Sequence, residues 1–182
     1  MQEQAGDNNQ GRGRCKTASL LGLTLGMVAS MALSVQAKTH DIQMTAVETD
    51  IVIDGGGEKY AAWTFNGQFP GPVVRVTEGD TINFTLTNPT TNKNPHAMDF
   101  HAAEIDFLKN YRAVNTGESI SFTFVAKKPG VFFYHCGAPP MIQHVARGMF
   151  GAVIVDPKDA KVWPKADREY VTIGGVNDWD WK

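Results

Sequence analysis

Cys136, His144 and Met149 stand eight and then five residues apart, with Ala138-Pro139-Pro140 inside the interval. A thiolate, an imidazole and a thioether are ligand types for copper. Two imidazoles and a thiolate in a trigonal plane, with a weak axial methionine, make a blue-copper electron-transfer site. His96 is the candidate for the second imidazole, and the two prolines stiffen the loop that carries the others. The plainer alternative is a buried structural cysteine with unrelated polar neighbours.

A second set lies beside the first. His135 immediately precedes Cys136, and successive side chains on a strand point to opposite faces. If Cys136 reaches inward, His135 points outward. In Pro95-His96-Ala97-Met98-Asp99-Phe100-His101, His96 and His101 differ by five and take opposite faces, whereas Asp99 and His101 share one. The expected sets are His96, Cys136, His144 and Met149 inward, and Asp99, His101 and His135 outward. A β-bulge in either strand would break this parity. Two imidazoles beside a carboxylate suit a second copper that binds a small anion, with Asp99 relaying a proton. Such a copper ordinarily takes three imidazoles. With His40 far off at the start of the mature chain, the third would come from another chain or domain. The plainer reading is two surface histidines and a solvated aspartate.

The N-terminus carries Arg14 and Lys16, an apolar run from Ala18 to Val35, and then Val35-Gln36-Ala37. These are the parts of a secretory signal peptide, expected over residues 1–37, and they place the protein in the periplasm or otherwise outside the cytoplasm. An uncleaved membrane anchor is the alternative, since about 18 residues can just cross a bilayer. Of the two cysteines, Cys15 falls in this leader. A processed chain keeps Cys136 alone and closes no internal disulfide, which leaves metal ligation to account for the thiol.

These residues need strands to position them. Alternation and turn residues predict strands over Asp41–Ile53, Lys59–Phe65, Val73–Val76, Thr81–Thr87, Glu118–Val125, Val131–Cys136, Met149–Val155 and Glu169–Ile173. No stretch of the mature chain keeps helical periodicity over three turns. The expected organisation is one all-β sandwich or barrel over residues 38–160. A C-terminal strand and tail follow over 161–182, as the start of a second domain. With 182 residues, 20% charged, and a net charge of −2, the chain lacks the basic excess of a nucleic-acid binder.

His96-Ala97-Met98-Asp99-Phe100-His101 resembles the His-x-x-Asp-x-His motif of copper-containing nitrite reductases. Tyr134-His135-Cys136 through His144 and Gly148-Met149 is similar to the second half of their copper signature. Asn66-Gly67 through Pro70-Gly71-Pro72 to Gly79-Asp80 resembles the entry of multicopper oxidase cupredoxin domains generally. The likeness runs over about residues 45 to 175 and matches the first of the family's two cupredoxin domains.

The resemblance implies a cupredoxin-like Greek-key β-sandwich behind an N-terminal signal helix. It makes His96, Cys136, His144 and Met149 type 1 copper ligands, His101 and His135 type 2 copper ligands, and Asp99 the catalytic proton-handling carboxylate. It implies a small redox donor, a cupredoxin or cytochrome c, and electron passage through Cys136-His135. Nitrite, one electron and two protons would give nitric oxide and water. It also implies a homotrimer in which a neighbour's second domain supplies the third type 2 histidine. The segment Ala102 to Thr116 departs from the family's glycine-rich loop by its charges. Two alternatives stand beside this one. A single-domain blue-copper electron carrier would use the inward set alone. A laccase-like oxidase would need His-x-His pairs, and the sequence has none.

Overall fold

The computed structural model describes residues 36–174. Of the expected leader, residues 1–35 lie outside them, so the signal helix does too. Among the described residues no helix is long and apolar enough to cross a membrane.

The described residues form eight strands: β1 (Thr39–Val52), β2 (Lys59–Phe65), β3 (Val74–Thr77), β4 (Thr81–Asn88), β5 (Asp99–Phe100), β6 (Glu118–Val125), β7 (Gly130–His135) and β8 (Phe150–Asp156). They make two four-stranded sheets, ordered β2-β1-β4-β6 and β3-β8-β7-β5. β1 pairs with β4 and β3 with β8 in parallel; the other neighbours are antiparallel. This is the expected all-β, cupredoxin-like sandwich.

β4 shows why the layers close. Ile82, Phe84 and Leu86 are buried while the residues between them are polar, a period of two that turns one face inward. Phe122 and Phe124 of β6 do the same. Between the sheets, Phe84 meets Phe100 with ring centroids 4.8 Å apart and Phe122 at 5.1 Å. Phe100 continues to Tyr134 at 5.5 Å, in offset and edge-on geometries that aromatic quadrupoles favour.

The expected strands Lys59–Phe65 and Glu118–Val125 have the observed bounds, and most others differ by a residue or two at their ends. Four features went unanticipated: the two-residue strand β5, the short helices α1 (Phe107–Asn110) and α2 (Met141–Ala146), and a 3-10 turn at Ala160–Val162, all too short for a periodicity to declare them. The last expected strand is not there. Glu169–Ile173 takes no ladder partner and lies exposed, tied down where Arg75 Nη1 donates to Glu169 Oε2 at 2.6 Å. Its alternation of Tyr170, Thr172 and Val171, Ile173 is not enough by itself, because a strand that pairs with no neighbour is not stable.

A candidate two-centre metal site

The end of β7 and the α2 turn carry the inward set. Cys136 follows the last residue of β7, and its N–H donates to the Met149 carbonyl at 3.0 Å. Met149 N–H in turn donates to the His144 carbonyl at 3.1 Å, so three of the four residues are held by each other's backbones. Gly148 makes the turn possible: its φ is +113°, and a side chain there would run into the Phe69 ring. His96 comes from the segment leading into β5, where it exchanges two backbone hydrogen bonds with Val114, at 3.1 and 2.8 Å.

One ligand atom from each of His96, Cys136 and His144 lies within 4.8 Å of the others, and all three residues are buried. Met149 is fully buried beside them. His96 Nε2 faces Glu48 Oε1 at 3.1 Å, whereas its Nδ1 is buried with no hydrogen-bond partner. A buried imidazole nitrogen left bare in this way is costly unless a Lewis acid takes its lone pair. His144 has a carbonyl at each ring nitrogen, Pro140 O at Nδ1 and Pro95 O at Nε2, both 3.1 Å. A neutral ring can donate to only one of them, so the other lone pair is also unspent. The donor set and these orphaned nitrogens fit a soft, tetrahedrally inclined metal.

Electrostatics keep the pocket neutral without a metal. Burial pushes the His96 imidazolium down to about 4, against the pull of Glu48. Burial also pushes the Cys136 thiol up to about 11, while amide hydrogen bonds from Ala97 and Ala138 work the other way. The Ala97 N–H lies 3.2 Å from the sulfur, a donor that would spread the charge of a bound thiolate.

The outward set is built on the short β5–β7 pairing. Asp99 lies directly across from His135, and Phe100 from Tyr134. Cross-strand partners share a face, so Phe100 and Tyr134 go to the core together while Asp99 and His135 face out. His101, just past β5, is held by its N–H to the Phe133 carbonyl at 3.0 Å. One ligand atom each from Asp99, His101 and His135 again falls within 4.8 Å of the others. His135 Nδ1 lies 3.1 Å from the Cys136 carbonyl, which fixes the proton there and leaves the Nε2 lone pair free. That Nε2 faces His101 Nε2 at 3.1 Å and Asp99 Oδ2 at 3.8 Å. Two imidazole nitrogens converging beside a carboxylate fit a metal open to solvent, since His101 is exposed and Asp99 half-buried. Among the described residues this set has two imidazoles and no third.

Two residues around the inward set escaped the sequence reading. Glu48 Oε1 accepts from the backbone of Lys93 at 3.0 Å and of Asn94 at 2.8 Å, besides facing His96. Trp63 packs on both imidazoles, 4.7 Å from His144 and 5.6 Å from His96 between centroids, with the Arg147 guanidinium 4.9 Å over its indole. Neither lies near a ligand in sequence. A carboxylate at a half-buried position of a strand was the one available sign for Glu48.

The family described as multicopper oxidase matches residues 46–160. The copper-containing nitrite reductase of Neisseria meningitidis Z2491 is 38% identical over 138 residues, covering 74% of this chain and 34% of its own. That of Alcaligenes faecalis is 42% identical over 124 residues, covering 67% and 33%. The chain therefore spans about a third of the length of the curated relatives it matches. Among solved structures, a copper nitrite reductase from Nitrosomonas europaea is 59% identical with a TM-score of 0.71, over 72% of this chain and 46% of that one. A copper-containing nitrite reductase from Thermus scotoductus SA-01 is 34% identical with a TM-score of 0.62, over 68% and 28%.

Proposed function

Since this chain belongs to the multicopper oxidase family, we infer that it serves as the first cupredoxin domain of an exported copper nitrite reductase. His96, Cys136, His144 and Met149 hold a type 1 copper, and His101 and His135 hold a type 2 copper. The metals supply one-electron redox chemistry and a Lewis acid for nitrite, in the overall reaction of nitrite, one electron and two protons to nitric oxide and water.

The observation that carries this reading is the juxtaposition of two convergent ligand sets across a single peptide bond, His135–Cys136. The chain's own residues divide the work. Cys136 and His135 join the two sets covalently, and the 3.1 Å contact from His135 Nδ1 to the Cys136 carbonyl adds a hydrogen bond over the same link. The buried inward pocket keeps its geometry through the Cys136–Met149 and Met149–His144 backbone bonds. Asp99 is placed to pass a proton to an oxygen of a bound anion, because its carboxylate stands beside His135 Nε2 at the open face. Exposed Met141 and Ile142, next to His144 on α2, form a small apolar surface suited to a transient cupredoxin or cytochrome donor. A third imidazole comes from a partner domain, as in a homotrimer.

The test is electron paramagnetic resonance with copper quantitation on the purified protein, alone and with its second domain supplied. Narrow type 1 hyperfine lines, plus a type 2 signal that shifts with nitrite when the partner is present, are expected. A type 1 signal with no nitrite response and no turnover in any assembly would overturn the reductase reading. That outcome favours the blue-copper carrier.

A further inference from the structure

The start of β1 holds a feature that the copper chemistry does not use. Asp80, in the turn between β3 and β4, is a carboxylate only 3% exposed. Its Oδ1 accepts from the backbone nitrogen of Lys38 at 2.8 Å. Its Oδ2 accepts from the Thr77 N–H at 2.9 Å and faces His40 Nε2 at 2.8 Å. Of these partners only His40 can carry charge, and only when protonated. A buried carboxylate held by neutral donors alone is an expensive arrangement, and proteins ordinarily give such a group a cation.

We propose that the chain is processed between Ala37 and Lys38, and that the α-ammonium so released seats on Asp80 as its permanent counter-charge. Water adds across the Ala37–Lys38 peptide bond under a signal peptidase. Ala37 leaves as a carboxylate and the Lys38 nitrogen takes up protons to become the ammonium. The nitrogen that already lies 2.8 Å from Oδ1 as an amide becomes a cation without moving.

Two independent observations select this bond. In sequence, Val35 and Ala37 are the small residues at the third-last and last positions before the cut that a signal peptidase reads. In the fold, the register of the terminus is fixed from the other side. Thr81 N–H donates to the Lys38 carbonyl at 2.8 Å, and Thr39 pairs with Thr81 in the β1–β4 ladder. A cut one residue later would lose both the Lys38–Asp80 and the Thr81–Lys38 bonds. A cut one residue earlier would leave an amide on Asp80 and carry the ammonium into solvent. Gln36 and Ala37 are exposed and without regular structure, so nothing in the sandwich depends on keeping them.

The experiment begins with the full chain expressed with export in a Gram-negative host and intact-mass analysis of the soluble product. A mass that starts at Lys38 is expected; a retained leader or any other start overturns the assignment. The Lys38-start protein is then compared in urea with one that retains Gln36-Ala37. A charged hydrogen bond exceeds a neutral one by about 1 kcal/mol, so the extended protein's unfolding constant should be about fivefold larger. Equal stability would overturn the ion pair. In an Asp80→Asn background the difference should vanish, and its persistence would count against Asp80 as the acceptor. Where Asp80→Asn does not fold, the comparison of the two termini decides alone.

Discussion

Replacing Glu48 with glutamine keeps the side chain's size and turns an anionic oxygen into a neutral one. In the structure that oxygen, Oε1, accepts from Lys93 N, Asn94 N and Asn94 Nδ2 at 3.0, 2.8 and 3.1 Å, and meets His96 Nε2 at 3.1 Å. Burial works against its charge, yet the hydrogen bonds from Asn94 and Lys93 and the His96 contact outweigh it and hold the carboxyl below its ordinary range. Each bond to a charged acceptor exceeds its neutral counterpart by about 1 kcal/mol, and bonds sharing one oxygen do not add fully. Glu48→Gln should therefore cost about 1–3 kcal/mol of apo stability, read as a lower urea midpoint. The second effect concerns the copper. An anion on Nε2–H makes His96 a stronger donor through Nδ1 and favours the oxidised metal. Losing about 1 kcal/mol of that preference raises the type 1 potential by about 40 mV, on a scale of 59 mV per tenfold for one electron. Spectroelectrochemical titration of the blue absorption measures it. A variant that loses stability while its potential stays within about 10 mV of the parent's would show that Glu48 only ties down the 92–96 loop.

Four further outcomes follow from the same geometry. Cys136→Ser should abolish the intense visible absorption of the copper-loaded protein while leaving the apo fold intact by circular dichroism, because the Ala97 N–H retains an acceptor. His135→Ala should keep the type 1 spectrum and remove any nitrite-sensitive copper signal, read by electron paramagnetic resonance; a retained response would mean that His135 is no ligand. Phe84→Ala, at the centre of the aromatic cluster, should cost about 3–5 kcal/mol in equilibrium unfolding. At Asp80, burial opposes the charge, but hydrogen bonds from Lys38, Thr77 and His40 hold the carboxyl below its ordinary 3.8. A carboxylate with a depressed folded pKa lends stability that is complete above 3.8 and is lost as pH falls through the folded value. Asp80→Asn should flatten that acid limb, and an unchanged slope below pH 3.8 would refute the role.

Much of this was legible in the chain because strand parity is strict. The two-residue spacing of Asp99 and His101 and the adjacency of His135 and Cys136 separate the metal-binding candidates into two faces, and the β5–β7 register realises that separation. Turn residues located nearly every strand for a related reason: glycine admits turn conformations that other residues avoid, and proline fixes φ and removes a donor, wherever they stand. What stayed hidden depends on long-range meeting. Glu48 and Trp63 reach the pocket from β1 and β2, Glu48 to His96 across 48 residues and Trp63 to the rings of His96 and His144, and no local pattern encodes such approaches. The Glu169–Ile173 error has the opposite origin. A stretch with strand-like alternation stays irregular when it pairs with no sheet edge.

The two ligand sets differ in construction in a way that fits their assignments. On the proposed assignment the inward set draws all four ligands from one chain, is buried and is cross-braced by its own backbone, so its atoms have little freedom to shift when the charge at the metal changes. An electron-transfer centre gains from that rigidity because less structure reorganises with each electron. The outward set is the reverse: one exposed histidine, one buried histidine and a half-buried carboxylate at a sheet edge only two residues long. Such a set leaves room for a substrate and for a ligand from another domain, at the expense of binding its metal weakly alone. Copper affinity should therefore be tight and independent of protein concentration at the first set, and should rise with assembly at the second. On that assignment the His135–Cys136 peptide joins a rigid site to an open one, with no residue between the two ligands.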